Sequence, residues 1–72
     1  RYEVDFIIEV GGETVAIEVK NSSRWKDGDL AGLKAYLSSS KKCLGAVLAY
    51  NGRDVLKIGN KIWAVPVNLL LS

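Results

Sequence analysis

Residues 1–10 alternate in polarity, Gly11-Gly12 interrupts them, and residues 13–20 alternate again. Two glycines between two period-two segments constrain the fold more than any other feature. They make a two-residue hairpin turn, because glycine takes the required positive φ freely. The turn sets the pairing: Asp5 opposite Glu18, Glu3 opposite Lys20, Ile7 opposite Ala16 and Glu9 opposite Thr14. The other face pairs Val4 with Val19, Phe6 with Ile17 and Ile8 with Val15, and is wholly apolar. A one-residue slip would bury the charges, so the pattern supports this register with the apolar face inward. Opposed side chains have Cβ atoms about 4.5–5.5 Å apart. Asp5 and Glu18 are therefore two carboxylates face to face, with Lys20 beside them. A divalent cation is the simplest reason to hold like charges so close.

Downstream, residues 21–26 read as a loop. Asp27 or Asp29 can cap a helix over about residues 29–39, with Leu30, Leu33 and Leu37 as its apolar stripe. Lys34 lies off that stripe, and Gly32 permits close packing on a sheet at a helix cost of ~1 kcal/mol. Ser38-Ser39-Ser40 ends the helix, with Lys41 and Lys42 near the negative end of its dipole. The run Cys43–Tyr50 is apolar almost throughout, as expected of a strand covered on both faces. The order strand–helix–strand favours parallel pairing. Asn51-Gly52 signals a second hairpin, leading to strands at 54–58 and 61–65 around Gly59-Asn60. Pro66 cannot donate to a ladder, so its strand is an edge or ends there. Residues 67–72 form an apolar tail.

The chain has 72 residues, which limits it to one domain. A domain of this size buries only about 60% of the surface its unfolded chain exposes. Its single cysteine, Cys43, offers no disulfide, reads as a core residue, and fits a reducing, cytoplasmic setting. No apolar run approaches the ~18 residues of a membrane span, and there is no signal peptide. The start at Arg1 and the absence of methionine suggest a piece of a larger protein, truncated at its N-terminus. The net charge of +2 hides an asymmetry. Residues 1–20 carry five acids and two bases, a net of −3, and residues 21–72 eight bases and three acids, a net of +5. An acidic cluster facing a basic remainder suits a metal site within a polyanion-binding surface. It is also what an ordinary solvated surface would carry.

Asp5, a twelve-residue gap and then Glu18-Val19-Lys20 resembles the PD-(D/E)XK nuclease superfamily, which includes restriction endonucleases and archaeal Holliday junction resolvases. In that superfamily an Asp on one strand and a Glu-x-Lys on the next form the metal site, and helix and strand follow in the order seen here. A closer likeness covers nearly the whole chain. Val4-Asp5-Phe6-Ile7, Ile17-Glu18-Val19-Lys20-Asn21-Ser22-Ser23, Gly32-Leu33-Lys34-Ala35-Tyr36-Leu37 and Trp63-Ala64-Val65-Pro66 resemble the nuclease-like C-terminal domain of a prokaryotic AAA-type ATPase family. Two features depart from the pattern: the superfamily's N-terminal helix and its first strand have no counterpart here, and no ATP-binding loop is present.

The resemblance implies an α/β fold: a restriction-endonuclease-like mixed sheet of β-hairpin, helix, central strand and C-terminal β extension. It implies Mg²⁺ or Mn²⁺ held by Asp5 and Glu18, with the backbone carbonyl of Val19 as a further ligand. Lys20 would orient water or stabilise the phosphate, pairing with Glu3 when no substrate is bound. Glu9 and Glu3 lie on the same face and could assist. Arg24 and Lys26 would contact DNA, and Trp25 would stack on a base or cover the core. The expected function is metal-dependent hydrolysis of DNA phosphodiesters, with an ATPase domain in the full-length protein. The alternatives are a non-catalytic module for DNA or protein binding, or an assembly domain that dimerises through an exposed sheet edge. Each residue also has a plainer role: solvated carboxylates at Asp5 and Glu18, a surface pair at Lys20, and packing for Trp25 and Trp63. With no histidine in the chain, histidine-based catalysis has no support.

Overall fold

In the computed structural model, which describes residues 4–71, Gly11 and Gly12 both take positive φ (59° and 85°). They join β1 (Phe6–Val10) to β2 (Glu13–Val19). The pairs are those the turn dictates: Phe6 with Ile17, Ile7 with Ala16, Ile8 with Val15, Glu9 with Thr14. A 3-10 turn at Asp27–Leu30 leads into α1 (Ala31–Ser39), and β3 (Cys43–Tyr50) then pairs parallel to β2. β4 (Leu56–Gly59) and β5 (Ile62–Pro66) complete a five-stranded mixed sheet of order β1-β2-β3-β5-β4. A short helix, α2 (Val67–Leu71), forms the apolar tail, with Ser72 outside the described residues. The domain is thus mixed α/β, with hairpin, helix and central parallel strand as expected.

The core lies between α1 and one sheet face. Leu30 and Leu33 of the helical segment meet Ala16, Cys43, Ala46, Leu48 and Ile62 of the sheet, all nearly or fully buried. Trp25, Tyr36 and Leu37 pack around them. The Cys43 thiol donates to the Gly45 carbonyl at 3.2 Å.

The covered side of the hairpin is the reverse of the sequence expectation. The helix packs on the face of Ala16 and Thr14, with the Tyr36 hydroxyl bonded to Thr14 Oγ1 at 3.3 Å. The wholly apolar face of Phe6, Ile8 and Val10 points away from it and is exposed. Small residues decide the choice. Ala16 and Ala46 let the helix approach closely, while the carboxylates stand at the far end of β2, beyond the part α1 covers. The alternation also breaks at Asp5, where the chain bends. Val4 crosses to the helix side and packs against the core instead of continuing the row of Phe6 and Ile8.

Asn51-Gly52 does not form the expected two-residue hairpin. The chain reverses over residues 51–55, but β5 inserts between β3 and β4, parallel to β3. The reversal is held wide from outside. Asn51 N–H donates to the Ser22 carbonyl at 2.9 Å, and its side-chain amide to Asn21 Oδ1 at 2.8 Å. Gly52 serves a close approach rather than a positive φ: the Tyr50 ring lies against it, and the Tyr50 hydroxyl donates to the Asp54 carbonyl at 2.6 Å. Pro66 ends β5, which is an inner strand. The edge strands are β1 and β4.

Candidate functional site

β2 ends in Glu18-Val19, and the backbone of Lys20 continues the ladder by donating to the Ala49 carbonyl at 2.7 Å. This places Glu18 and Lys20 at the C-terminal ends of the parallel strands, outside the buried core. Asp5 meets Glu18 and Val19 from the bend before β1. Its N–H donates to Glu18 Oε1 at 3.0 Å, and its own Oδ2 accepts from Val19 N–H at 2.8 Å. Each carboxylate is therefore held by backbone of the opposing segment. The sequence expectation of adjacent Asp5 and Glu18 is met in space, although Asp5 lies outside the regular ladder.

Lys20 finds a partner that sequence reasoning missed. Its Nζ lies 3.3 Å from Asp29 Oδ1. The expected alternative partner, Glu3, lies outside the described residues. Asp29 does not cap the helix in the expected way. Its Oδ2 accepts from the Lys26 N–H at 2.8 Å, reaching back across the 3-10 turn. That bond above all, with the Lys20 ammonium and the nearby Lys26 charge, holds the Asp29 carboxyl below its usual value of 3.8 against a smaller opposing effect of burial. A signal was available in the sequence: an acid three residues after Lys26, at a helix start, is the spacing of a reach-back bond.

Lys20, Ser22, Arg24, Trp25, Lys26 and Asp29 line one open cleft of about 350 Å³. The two expected phosphate contacts, Arg24 and Lys26, are thus brought to Lys20. Trp25 divides its roles: its ring packs on the core and meets Tyr50 edge-on at 5.3 Å, while it also lines the cleft. Trp63 lies away from this cleft, half-buried, with the Lys57 ammonium 5.6 Å over its ring.

The donor set fits a hard divalent cation in part. Asp5 and Glu18 offer adjacent carboxylate oxygens, and a carboxylate that accepts one backbone bond retains capacity for more. Mg²⁺ commonly keeps several waters and binds through one or two carboxylates. No cluster of three or more acidic, histidine or cysteine side chains suited to a metal occurs among the described residues. A site here would rest on two carboxylates, backbone oxygen and water. No helix among the described residues is long and apolar enough to cross a membrane.

Neither a curated protein nor a solved structure matches the chain. Over residues 1–70 it matches the family described as Domain of unknown function (DUF4143), and the chain belongs to that family.

Proposed function

We propose that this domain is a nuclease-like module that engages the phosphodiester backbone of DNA at the Asp5–Glu18–Lys20 end of its sheet, with Mg²⁺ or Mn²⁺ held by Asp5 and Glu18. One observation carries the reading: the two carboxylates are held side by side, Glu18 by the Asp5 amide and Asp5 by the Val19 amide, at the strand end from which Lys20 enters a cleft shared with Arg24 and Lys26. Nothing in packing requires two acids there, since both stand outside the core.

A bound divalent cation would supply an acidified water and neutralise charge on the phosphate. The chain's own residues do the rest. Asp5 and Glu18 orient their oxygens through the Val19 and Asp5 amides. Lys20 exchanges Asp29 for a non-bridging phosphate oxygen when substrate arrives. Arg24 and Lys26 bind neighbouring phosphates, and Arg24 is suited to two-pronged contact. The full-length protein would join this module to an AAA-type ATPase domain.

A second reading has its own support. Both carboxylates already accept backbone bonds, and Lys20 is paired. A module that binds DNA without cutting it would need only Arg24, Lys26 and Lys20. The two readings separate in one experiment on labelled duplex, junction and single-stranded DNA with Mn²⁺. Catalysis predicts cleavage that disappears in Glu18→Gln and Lys20→Ala while the circular dichroism spectrum is kept. Salt-sensitive binding without cleavage, unchanged in Glu18→Gln, selects the second reading. If no form of DNA is bound or cut, both fail.

A further inference from the structure

A cavity lies at the opposite end of the parallel strands from Asp5 and Glu18. β3 and β5 begin there, with Cys43 and Ile62, and α1 ends there. Six residues of β3 separate Cys43 from Ala49, whose carbonyl holds Lys20, so the two ends stand about 20 Å apart. The cavity is open and measures about 540 Å³. Its floor is apolar, built from Leu37 with the buried Cys43 and Ile62. Its exposed rim carries Lys34 and Lys41 on the helix side and Lys61 on the turn between β4 and β5, with Ser38 and Asn60 beside them. No carboxylate lines it.

We propose that this cavity binds a small phosphate ester, with the phosphate among Lys34, Lys41 and Lys61 and the apolar body of the ester against Leu37 and Ile62. The three lysines converge without a counter-charge. Among the described residues the one ion pair joins Lys20 to Asp29, and none of the three has a carboxylate partner. Lys41 has a local reason for its place, because the carbonyl end of a helix favours a cation. Lys34 has none, standing more than a turn before that end. It shares a helix face with Leu37 and Ser38, three and four residues on, and all three line the cavity.

Lys61 has no local reason either, and its backbone opposes it. Its φ of 63° lies in the left-handed region, which glycine takes freely and a lysine rarely. Gly59 and Asn60 stand just before it, yet neither takes a positive φ. The turn thus gives its strained position to a lysine that lines the cavity. Strain of this kind persists where the position serves a ligand.

The donor set selects the ligand. Lysine ammonium groups donate hydrogen bonds and accept none, and the Ser38 hydroxyl and Asn60 amide add donors. A multiply charged oxyanion uses all of them, and a metal cation is repelled. Phosphate alone would leave the apolar floor unfilled. The volume falls within the ~300–1,000 Å³ usual for small-molecule sites. A DNA duplex presents its phosphates on a convex surface and would not reach the floor.

The test titrates phenyl phosphate, inorganic phosphate and phenol into isotope-labelled protein without metal, read by amide chemical shifts. Phenyl phosphate is expected to bind at least fivefold more tightly than either of the others, with shifts centred on residues 37–43 and 59–62. Lys34→Ala and Lys61→Gly should each weaken it at least threefold. Lys61→Gly relieves the backbone, so its loss of binding is not a loss of fold. Lys42→Ala removes the same charge from a residue that does not line the cavity, and should change binding less than twofold. Absence of binding, or equal binding of inorganic phosphate, overturns the proposal. An equal loss in Lys42→Ala also overturns it, since net charge alone would then attract the anion. So does displacement of phenyl phosphate by duplex DNA with shifts at the same residues, because a polynucleotide would then be the occupant. The measurement involves neither Mn²⁺ nor cleavage and stands apart from the Asp5–Glu18 site.

Discussion

Replacing Asp5 separates structure from metal chemistry at one side chain. Asp5 Oδ2 accepts from the Val19 N–H at 2.8 Å, so Asp5→Ala removes a hydrogen bond as well as a charge. Asp5→Asn removes the charge and keeps a carbonyl oxygen as acceptor. A hydrogen bond to a charged group is worth about 1.5–3 kcal/mol when sheltered. Asp5 is exposed, so about 1 kcal/mol is the appropriate figure. At ~2.1 cal/mol/K per residue, a chain of 72 residues unfolds with an entropy of about 0.15 kcal/mol/K. One kcal/mol then corresponds to a fall in Tm of about 6–7 °C. Asp5→Ala should show that fall by circular dichroism, and Asp5→Asn less than half of it. In calorimetry both variants should lose Mn²⁺ binding at least tenfold, because an amide oxygen carries no charge for the cation. Equal Tm losses in the two variants would refute the backbone role of the carboxylate. Unchanged Mn²⁺ heats in Asp5→Asn would refute the metal site.

Three further outcomes are expected elsewhere in the fold. Gly52→Ala must displace the Tyr50 ring and break its bond to the Asp54 carbonyl, and should lower stability by about 1–3 kcal/mol in urea denaturation. Asp29 has its folded-state pKa held down, so its contribution to stability is present above its unfolded value of 3.8 and is lost as pH falls through the lower folded value. Asp29→Asn should therefore be less stable than the parent at pH 6, with the difference vanishing in acid below that range. Lys61 holds a φ of 63°, in the left-handed region, at the turn between β4 and β5. Lys61→Gly should raise Tm, since relief of ~1 kcal/mol of strain exceeds the added freedom of the unfolded chain.

The hairpin, its register and β3 were legible because their signals are local: two glycines, strict alternation and a continuous apolar run. α1 was legible from Leu30, Leu33 and Leu37, although its first turn is a 3-10 turn. The face that α1 covers was not legible. In the middle of the hairpin both faces are apolar, Ile7 and Ala16 on one, Ile8 and Val15 on the other. Side-chain size at Ala16 and Ala46, not polarity, then settles where the helix lies. The insertion of β5 between β3 and β4 has no local signal, since it depends on how Asn51 and Tyr50 are anchored by distant or folded-back groups. At the site, the juxtaposition of Asp5 and Glu18 was readable from register. The Lys20–Asp29 pair was not, because it joins a strand end to a helix start through tertiary placement alone.

The strand order β1-β2-β3-β5-β4 also bears on how the chain assembles in time. Each outer pair is a hairpin between neighbours in sequence, closed by a short turn, and can form within about 1–10 μs. β3 has only distant partners: β2 across the helical crossover, and β5 beyond the returning β4. Its pairing must wait for two longer closures, whose entropy is lost before any contact repays it. β3 is thus the keystone between the two hairpins, and its docking is the step expected to limit the rate of folding. Mutations in the strand Cys43–Tyr50 should slow folding, whereas mutations at the tips of the two hairpins should chiefly speed unfolding.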